Sequence, residues 1–315
     1  MQAEIIELID QCEFRTNNPF DIENGLFPAL TKIIPTETVQ HFESELLKTW
    51  LAFGFKGETL VSVVYDKISN ELYKTSGYFD HLSEDDIKQL QANFASVIDD
   101  EIRHRDMFIK IMDRFENGSV EYDAEHYDPY NTNFKDYVYD YMDSGVLGVK
   151  EVDPNLLDIL SVIIPGENYL LATFNFFYKS TSNPKKQEIF KSFLQDEARH
   201  IAHFMNLVKQ AQIPQEHKDR AKHRILQHIF DNSNFELIKL VQYLKESEDN
   251  TQKQDVILNL VYKDERHKHF KEAYLKKCYQ FYNILYPEIS EEQFKNQLNQ
   301  FKMSDLNTRQ RICTI

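Results

Sequence analysis

Two stretches of this chain place a carboxylate and an imidazole three residues apart. They are Glu101 and His104 in Asp100-Glu101-Ile102-Arg103-His104, and Glu197 and His200 in Asp196-Glu197-Ala198-Arg199-His200. Three residues is close to one helical turn, so both side chains of a pair leave the same helix face. No other Glu-x-x-His occurs in the chain. The pairs lie in longer matching windows, SVIDDEIRHRDMF and SFLQDEARHIAHF, which also share Ser96/Ser192 and Phe108/Phe204. One such pair alone is most often a solvated couple on a helix surface. Two in a shared frame point to metal chemistry: a helix bundle binds two cations with two Glu-x-x-His pairs and one Glu from each of two further helices. The apolar neighbours agree, since Phe94, Val97 and Phe108 share the face of Glu101, and Phe193 and Phe204 that of Glu197.

The elements that would position these pairs are helical. Gly (8) and Pro (9) are scarce among 315 residues, and the periodic stretches are rich in Leu, Ile, Lys, Glu and Gln. A first helix is predicted over 37–53 and a second apolar-periodic stretch over 56–74. Ser83-Glu84-Asp85-Asp86 reads as the cap of a long helix carrying the first pair to about Phe115, before the break Glu116-Asn117-Gly118-Ser119. Residues 117–154 are acidic and Tyr-rich and read as a long connection, with a short helix around Phe134–Met142. Asp153-Pro154 starts another helix, adjusted at Pro165-Gly166 and reaching Lys179. After the joint Thr181-Ser182-Asn183-Pro184, the second pair sits on a helix over 185–211. Further helices are expected near 217–248, 252–284 and 290–302. The order is helix, short turn, pair-bearing helix, long connection, then the same again, so two antiparallel hairpins can lie against each other. The expectation is one all-α domain over 1–315, with a four-helix bundle at 37–211 and extra N- and C-terminal helices, the latter in 212–315.

Related halves should each supply one inward Glu ahead of the pair. Phe55-Lys56-Gly57-Glu58-Thr59 matches Ile164-Pro165-Gly166-Glu167-Asn168, and each Glu heads an apolar run. An ionised Glu continuing an apolar stripe is costly unless paired or bound to a metal. Glu43 and Glu45 on the nearby helix compete with Glu58 for that role. The ligand set is therefore Glu58, Glu101, His104, Glu167, Glu197 and His200. Four carboxylates balance two divalent cations, and mixed oxygen and imidazole ligation suits iron, with manganese able to take one or both sites. Asp100 and Asp196 are placed to accept the non-ligating N–H of a histidine, with Arg103 and Arg199 holding the carboxylates.

These residues resemble the ferritin-like di-iron carboxylate proteins, and DEIRH and DEARH are similar to the Asp-Glu-x-Arg-His motifs of their oxygen-activating branch. That branch includes multicomponent monooxygenases, acyl-carrier desaturases, ribonucleotide reductase small subunits and p-aminobenzoate-type N-oxygenases. The resemblance covers about residues 40–211, and the length and ligand order are most similar to the N-oxygenases. Those carry an additional His one turn before the second pair, where this chain has Phe193. The first ligand of the ribonucleotide reductases is usually Asp, here Glu58. The resemblance implies a non-haem di-iron oxygenase or oxidase: two Fe ions, O2 as co-substrate, Glu101 and Glu197 as the carboxylates central to catalysis, and a small organic substrate oxidised by N-oxygenation, hydroxylation or desaturation. With no reductase domain fused, electrons come from a separate donor or from the substrate. A ferroxidase or iron-storage protein of the same class is the alternative, although the residues after Ala211 and the 117–154 insertion exceed a bare storage bundle.

A net charge of -15 argues against nucleic acid or an anionic membrane as a main partner. The N-terminus MQAEIIELIDQ is unlike a signal peptide, and no apolar run is expected to approach the length of a membrane span. Cys12, Cys278 and Cys313, odd in number and far apart, read as reduced thiols of a cytoplasmic protein, with Cys278 buried and inert. A homodimer is compatible with this reading. Tyr65 and Tyr169 are placed to approach the metals, Trp50 reads as packing, and His203 lies one turn beyond His200. A degraded third copy, Lys263-Asp264-Glu265-Arg266-His267-Lys268-His269, keeps one helical turn between Asp264 and His267. The expectation for it is an extra ligand, His267 with Asp264, in the role left empty by Phe193. A buried His–Asp hydrogen bond, a solvated face and the rival pair Glu265/His269 remain alternatives.

Overall fold

A computed structural model of the chain describes residues 2–14, 18, 20–68, 77–114, 155–234, 260, 261 and 263–301. Regular structure among them is helical: α1 (Gln2–Asp10), a 3-10 turn (Leu30–Lys32), α2 (Thr36–Lys67), α3 (Glu84–Met112), α4 (Leu156–Ser180), α5 (Pro184–Gln210), α6 (Gln215–Ser233), α7 (Glu265–Leu285) and α8 (Glu291–Leu298). The all-α expectation holds for them. The expected connection over 117–154, with its helix around Phe134–Met142, lies outside the described residues, as do residues 235–259.

Capping chemistry sets the starts of the site helices. Ser83 and Asp86 form a reciprocal capping box at α3, and Asn155 and Asp158 form another at α4. Asn183 accepts from the Lys185 and Lys186 N–H groups at α5, with Pro184 in the first turn where its missing N–H costs nothing. The α4 start also makes a tertiary link. Buried Asp158 takes Arg220 and Arg224 of α6, the latter at 2.7 Å, which ties the two helices together.

Two expectations are corrected. The helix expected over 37–53 and the stretch expected from 56 are one continuous α2. Gly54 is not a break but a point of close approach: a Cβ there would sit 2.8 Å from Cζ of Phe108 on α3. Contact between α2 and α3 outweighs the roughly 1 kcal/mol helix penalty of a glycine. The second correction concerns α4, which is long and apolar enough by length and composition to cross a membrane. Most of that stretch is buried in the protein, 72 % of it, by α5, α6 and α7. It also runs unbroken through Pro165.

α2 packs on α3, and α4 on α5; α3 and α5 then meet, bringing the two Glu-x-x-His motifs face to face. An aromatic column fills the space between the hairpins: Trp50 lies 5.7 Å from Phe108 and 5.5 Å from Phe174, and Phe174 stacks at 4.4 Å on Phe193. The N-terminal segment is pinned to α5 by buried Lys186, whose ammonium donates to the Glu13 carbonyl (2.6 Å) and pairs with Asp21 (2.9 Å).

Candidate metal centre

All six expected ligands converge and all are buried. α2 supplies Glu58, α3 Glu101 and His104, α4 Glu167, and α5 Glu197 and His200. Two groups emerge, each able to surround one cation: Glu58, Glu101 and His104, and Glu101, Glu167 and His200. Glu101 belongs to both. Glu197 also lies between them, with Oε1 3.4 Å from His104 Nδ1 and Oε2 3.6 Å from His200 Nδ1. Glu58 and Glu167 each serve one side, 3.7 Å and 3.8 Å from their histidine Nδ1 atoms. Four buried carboxylates and two imidazoles thus surround positions that could hold metal ions.

The surrounding hydrogen bonds aim the histidines. His104 Nε2 lies 3.2 Å from Asp196 Oδ2, and His200 Nε2 lies 3.2 Å from Asp100 Oδ2. Each aspartate therefore holds the imidazole of the other motif, and with Nε2 donating outward each Nδ1 is left as the inward acceptor. Arg103 and Arg199 bridge the same two carboxylates: each pairs with the aspartate of its own helix at 2.8 Å and donates to that of the opposite helix. Burial works against charge on Asp100 and Asp196, but the histidine hydrogen bonds and the guanidinium groups hold both below the usual carboxylate range.

The inward atoms have no protein hydrogen-bond partner. They are Glu58 Oε1, both oxygens of Glu101 and of Glu197, Glu167 Oε2, and Nδ1 of His104 and of His200. Buried acceptors facing one another fit cations between them. Without cations the site takes up protons instead. Burial, reinforced by the neighbouring carboxylates, raises Glu58 and Glu197 well above the usual range. Burial opposes charge on the histidines, yet the facing carboxylates, Asp196 foremost for His104 and Glu101 for His200, raise both well above the ordinary imidazole value. Glu101 goes the other way: burial raises it, but the charge of the facing His200, with Glu58 and His104 beside it, outweighs that.

The competitors of Glu58 are accounted for. Glu43 accepts the Phe27 N–H at 2.7 Å, and Glu45 pairs with Lys48 at 2.8 Å. Tyr65 is fully buried and donates to Glu167 Oε1, a role spacing could only hint at. Tyr169 faces elsewhere, edge-on to Phe270 and Tyr274. Phe193 packs on the His104 ring at 4.7 Å.

The third copy does not join the centre, which corrects the expectation for Asp264 and His267. Asp264 caps α7, accepting the Arg266 N–H at 2.9 Å. His267 lines a cavity with Trp50 and Tyr169, and burial together with the Lys271 charge lowers its pKa to about 4. His203 is half-buried outside the ligand groups. No protein-family model, curated protein or solved structure matches the chain.

Proposed function

We propose that this chain is a ferritin-like di-metal carboxylate oxidoreductase that uses O2 to oxidise a small organic substrate. The observation that carries the proposal is the convergence of buried, partnerless carboxylate and imidazole atoms on one centre from α2, α3, α4 and α5. Oxygen and imidazole donors without thiolate suit iron, or manganese in one or both positions. Two such ions, when bound, supply the electrons and the Lewis acidity for O2 reduction.

The chain does the rest. Glu101, common to both groups, and Glu197, beside both histidines, would hold both cations, and Glu58 and Glu167 one each. Asp100 and Asp196 accept the outer N–H of His200 and His104 and keep each Nδ1 aimed inward. Tyr65 donates to Glu167 and fixes one of its oxygens. Phe94, Phe108, Phe174, Phe193 and Phe204, all buried, keep bulk water away. N-oxygenation, hydroxylation and desaturation all fit such a centre, with an external donor or the substrate as electron source.

The test uses the full chain loaded with Fe(II) under anaerobic conditions, then mixed with O2 and panels of arylamines and alkyl substrates. Consumption of O2 coupled to an oxidised organic product is expected, and it should vanish in Glu101→Ala and Glu197→Ala. Iron oxidation that continues far beyond the ligand capacity, with a cage-sized particle and no organic product, would instead establish iron storage.

A further inference from the structure

A second site lies beyond the aromatic column, and none of the six metal ligands lines it. It is a cavity between α2, α4 and the first turn of α7, floored by buried Trp50, Thr173 and Phe177 and rimmed by half-buried Leu26, Phe176 and Phe270. Its lining is mostly aromatic and aliphatic, yet unsatisfied polar atoms collect in the residues around it. The Trp50 indole N–H and the Thr173 hydroxyl are buried without a hydrogen-bond partner, although Trp50 and Thr173 are only 4 % and 5 % exposed. Arg266 Nη2 is in the same position, while Nη1 of that guanidinium is occupied by the Glu23 and Gly25 carbonyls. A buried donor without an acceptor is destabilising, more so when charged, so several around one cavity point to an acceptor from outside the chain.

We propose that this cavity binds the carboxylate end of a linear aliphatic acid. Indole and guanidinium only donate, and the threonine hydroxyl can, so the complementary group carries acceptor oxygens. A guanidinium favours an anionic acceptor, of which a carboxylate is smaller than a phosphate, and Arg266 sits in the first turn of the 21-residue α7, where the helix dipole adds positive potential. Other charges nearby are engaged. Asp264 accepts the Arg266 backbone N–H and lies 3.9 Å from its Nε; Glu43 accepts from Phe27; Lys271 donates to Asn234 at 3.0 Å. Size selects the body of the ligand. The cavity volume is about 70 Å³, roughly half of the ~150 Å³ that houses benzene in an apolar cavity. A carboxylate and its first methylenes fill that space better than a ring, with the chain leaving past Phe176 and Phe270.

Trp50 is the only tryptophan of the chain and lines the cavity, so a change in its emission within one metal state reports on ligand entry. The full-length protein, metal-free and metal-loaded, is titrated with hexanoate, hexylamine and benzoate. Hexanoate should give a saturable change in both forms, and hexylamine and benzoate none over the same range. This readout needs no metal, so it stands or falls independently of the di-metal reading. Arg266→Met should weaken hexanoate roughly 10–100-fold, as expected for loss of a charged hydrogen bond. Because Arg266 also holds the Glu23 and Gly25 carbonyls, Thr173→Val serves as a second variant of nearly unchanged shape, expected to weaken binding several-fold with unaltered circular dichroism and metal content. Lack of a saturable hexanoate response, an equal response to hexylamine or benzoate, or unchanged affinity in a folded Thr173→Val would overturn the proposal.

Discussion

Eight inward-facing ligand atoms without a protein partner would, at about 1–3 kcal/mol each, consume most or all of the roughly 5–15 kcal/mol by which a domain is stable. Cations, or protons in their absence, must satisfy them. This gives the side chains separable roles. Glu197→Ala removes the carboxylate that lies between the two groups and should abolish retention of at least one metal ion. Asp196→Asn leaves all six donors in place but loosens the His104 ring, so metal affinity should fall by roughly 10–100-fold. Equilibrium titration with Fe(II) under anaerobic conditions checks both; equal, negligible effects would contradict the assignment. The pairs Glu101/His104 and Glu197/His200 are legible in the sequence because one helical turn is a local relation. The exchange of aspartates between motifs is not, since nothing in one window says which helix faces it. The Tyr65–Glu167 hydrogen bond, 102 positions apart, is equally out of reach.

At the scale of elements, the two glycines of α2 separate local propensity from packing. A Cβ at Gly57 would meet nothing within 4 Å, whereas one at Gly54 would abut Phe108. That ring is caged by Trp50 at 5.7 Å and Phe193 at 5.3 Å. Gly57→Ala should therefore stabilise the fold by up to about 1 kcal/mol, and Gly54→Ala should destabilise it by about 1–3 kcal/mol through overpacking, less the same helix gain. Denaturant midpoints of the two variants should move in opposite directions; a shared direction would show that the α2–α3 contact is not tight. The same contact explains why the sequence alone divides α2. Gly54, between the two predicted stretches, looks like a breaker when only local preference is visible. Caps are legible, as Ser83 and Asp86 show, because their chemistry is complete within four residues. Asp264 misleads for a related reason: a carboxylate one turn from a histidine fits a ligand pair and an N-cap equally well until the helix start is known.

For the whole molecule, proton uptake by the metal-free centre links stability to pH. Glu58, Glu197, His104 and His200 are all raised in the folded protein above their unfolded values of about 4.3 for Glu and 6.5 for His. The folded metal-free protein thus binds more protons than the unfolded chain, so its stability falls as pH rises. The fall begins above about pH 4.3 through the glutamates and steepens above about 6.5 through the histidines. Asp100, Asp196 and Glu101 are lowered, so their contribution is complete before this window opens. Melting midpoints between pH 5 and 8 should drop for the metal-free protein and stay nearly level for the loaded one, in which cations replace the protons. A metal-free midpoint that holds or rises would contradict the buried charge arrangement. The most direct test of the central claim is metal content. Full-length protein reconstituted with Fe(II) under anaerobic conditions and desalted should retain about two ions per chain, as two donor groups that share Glu101 and flank Glu197 require. Retention of none, or of a single zinc ion, would contradict it.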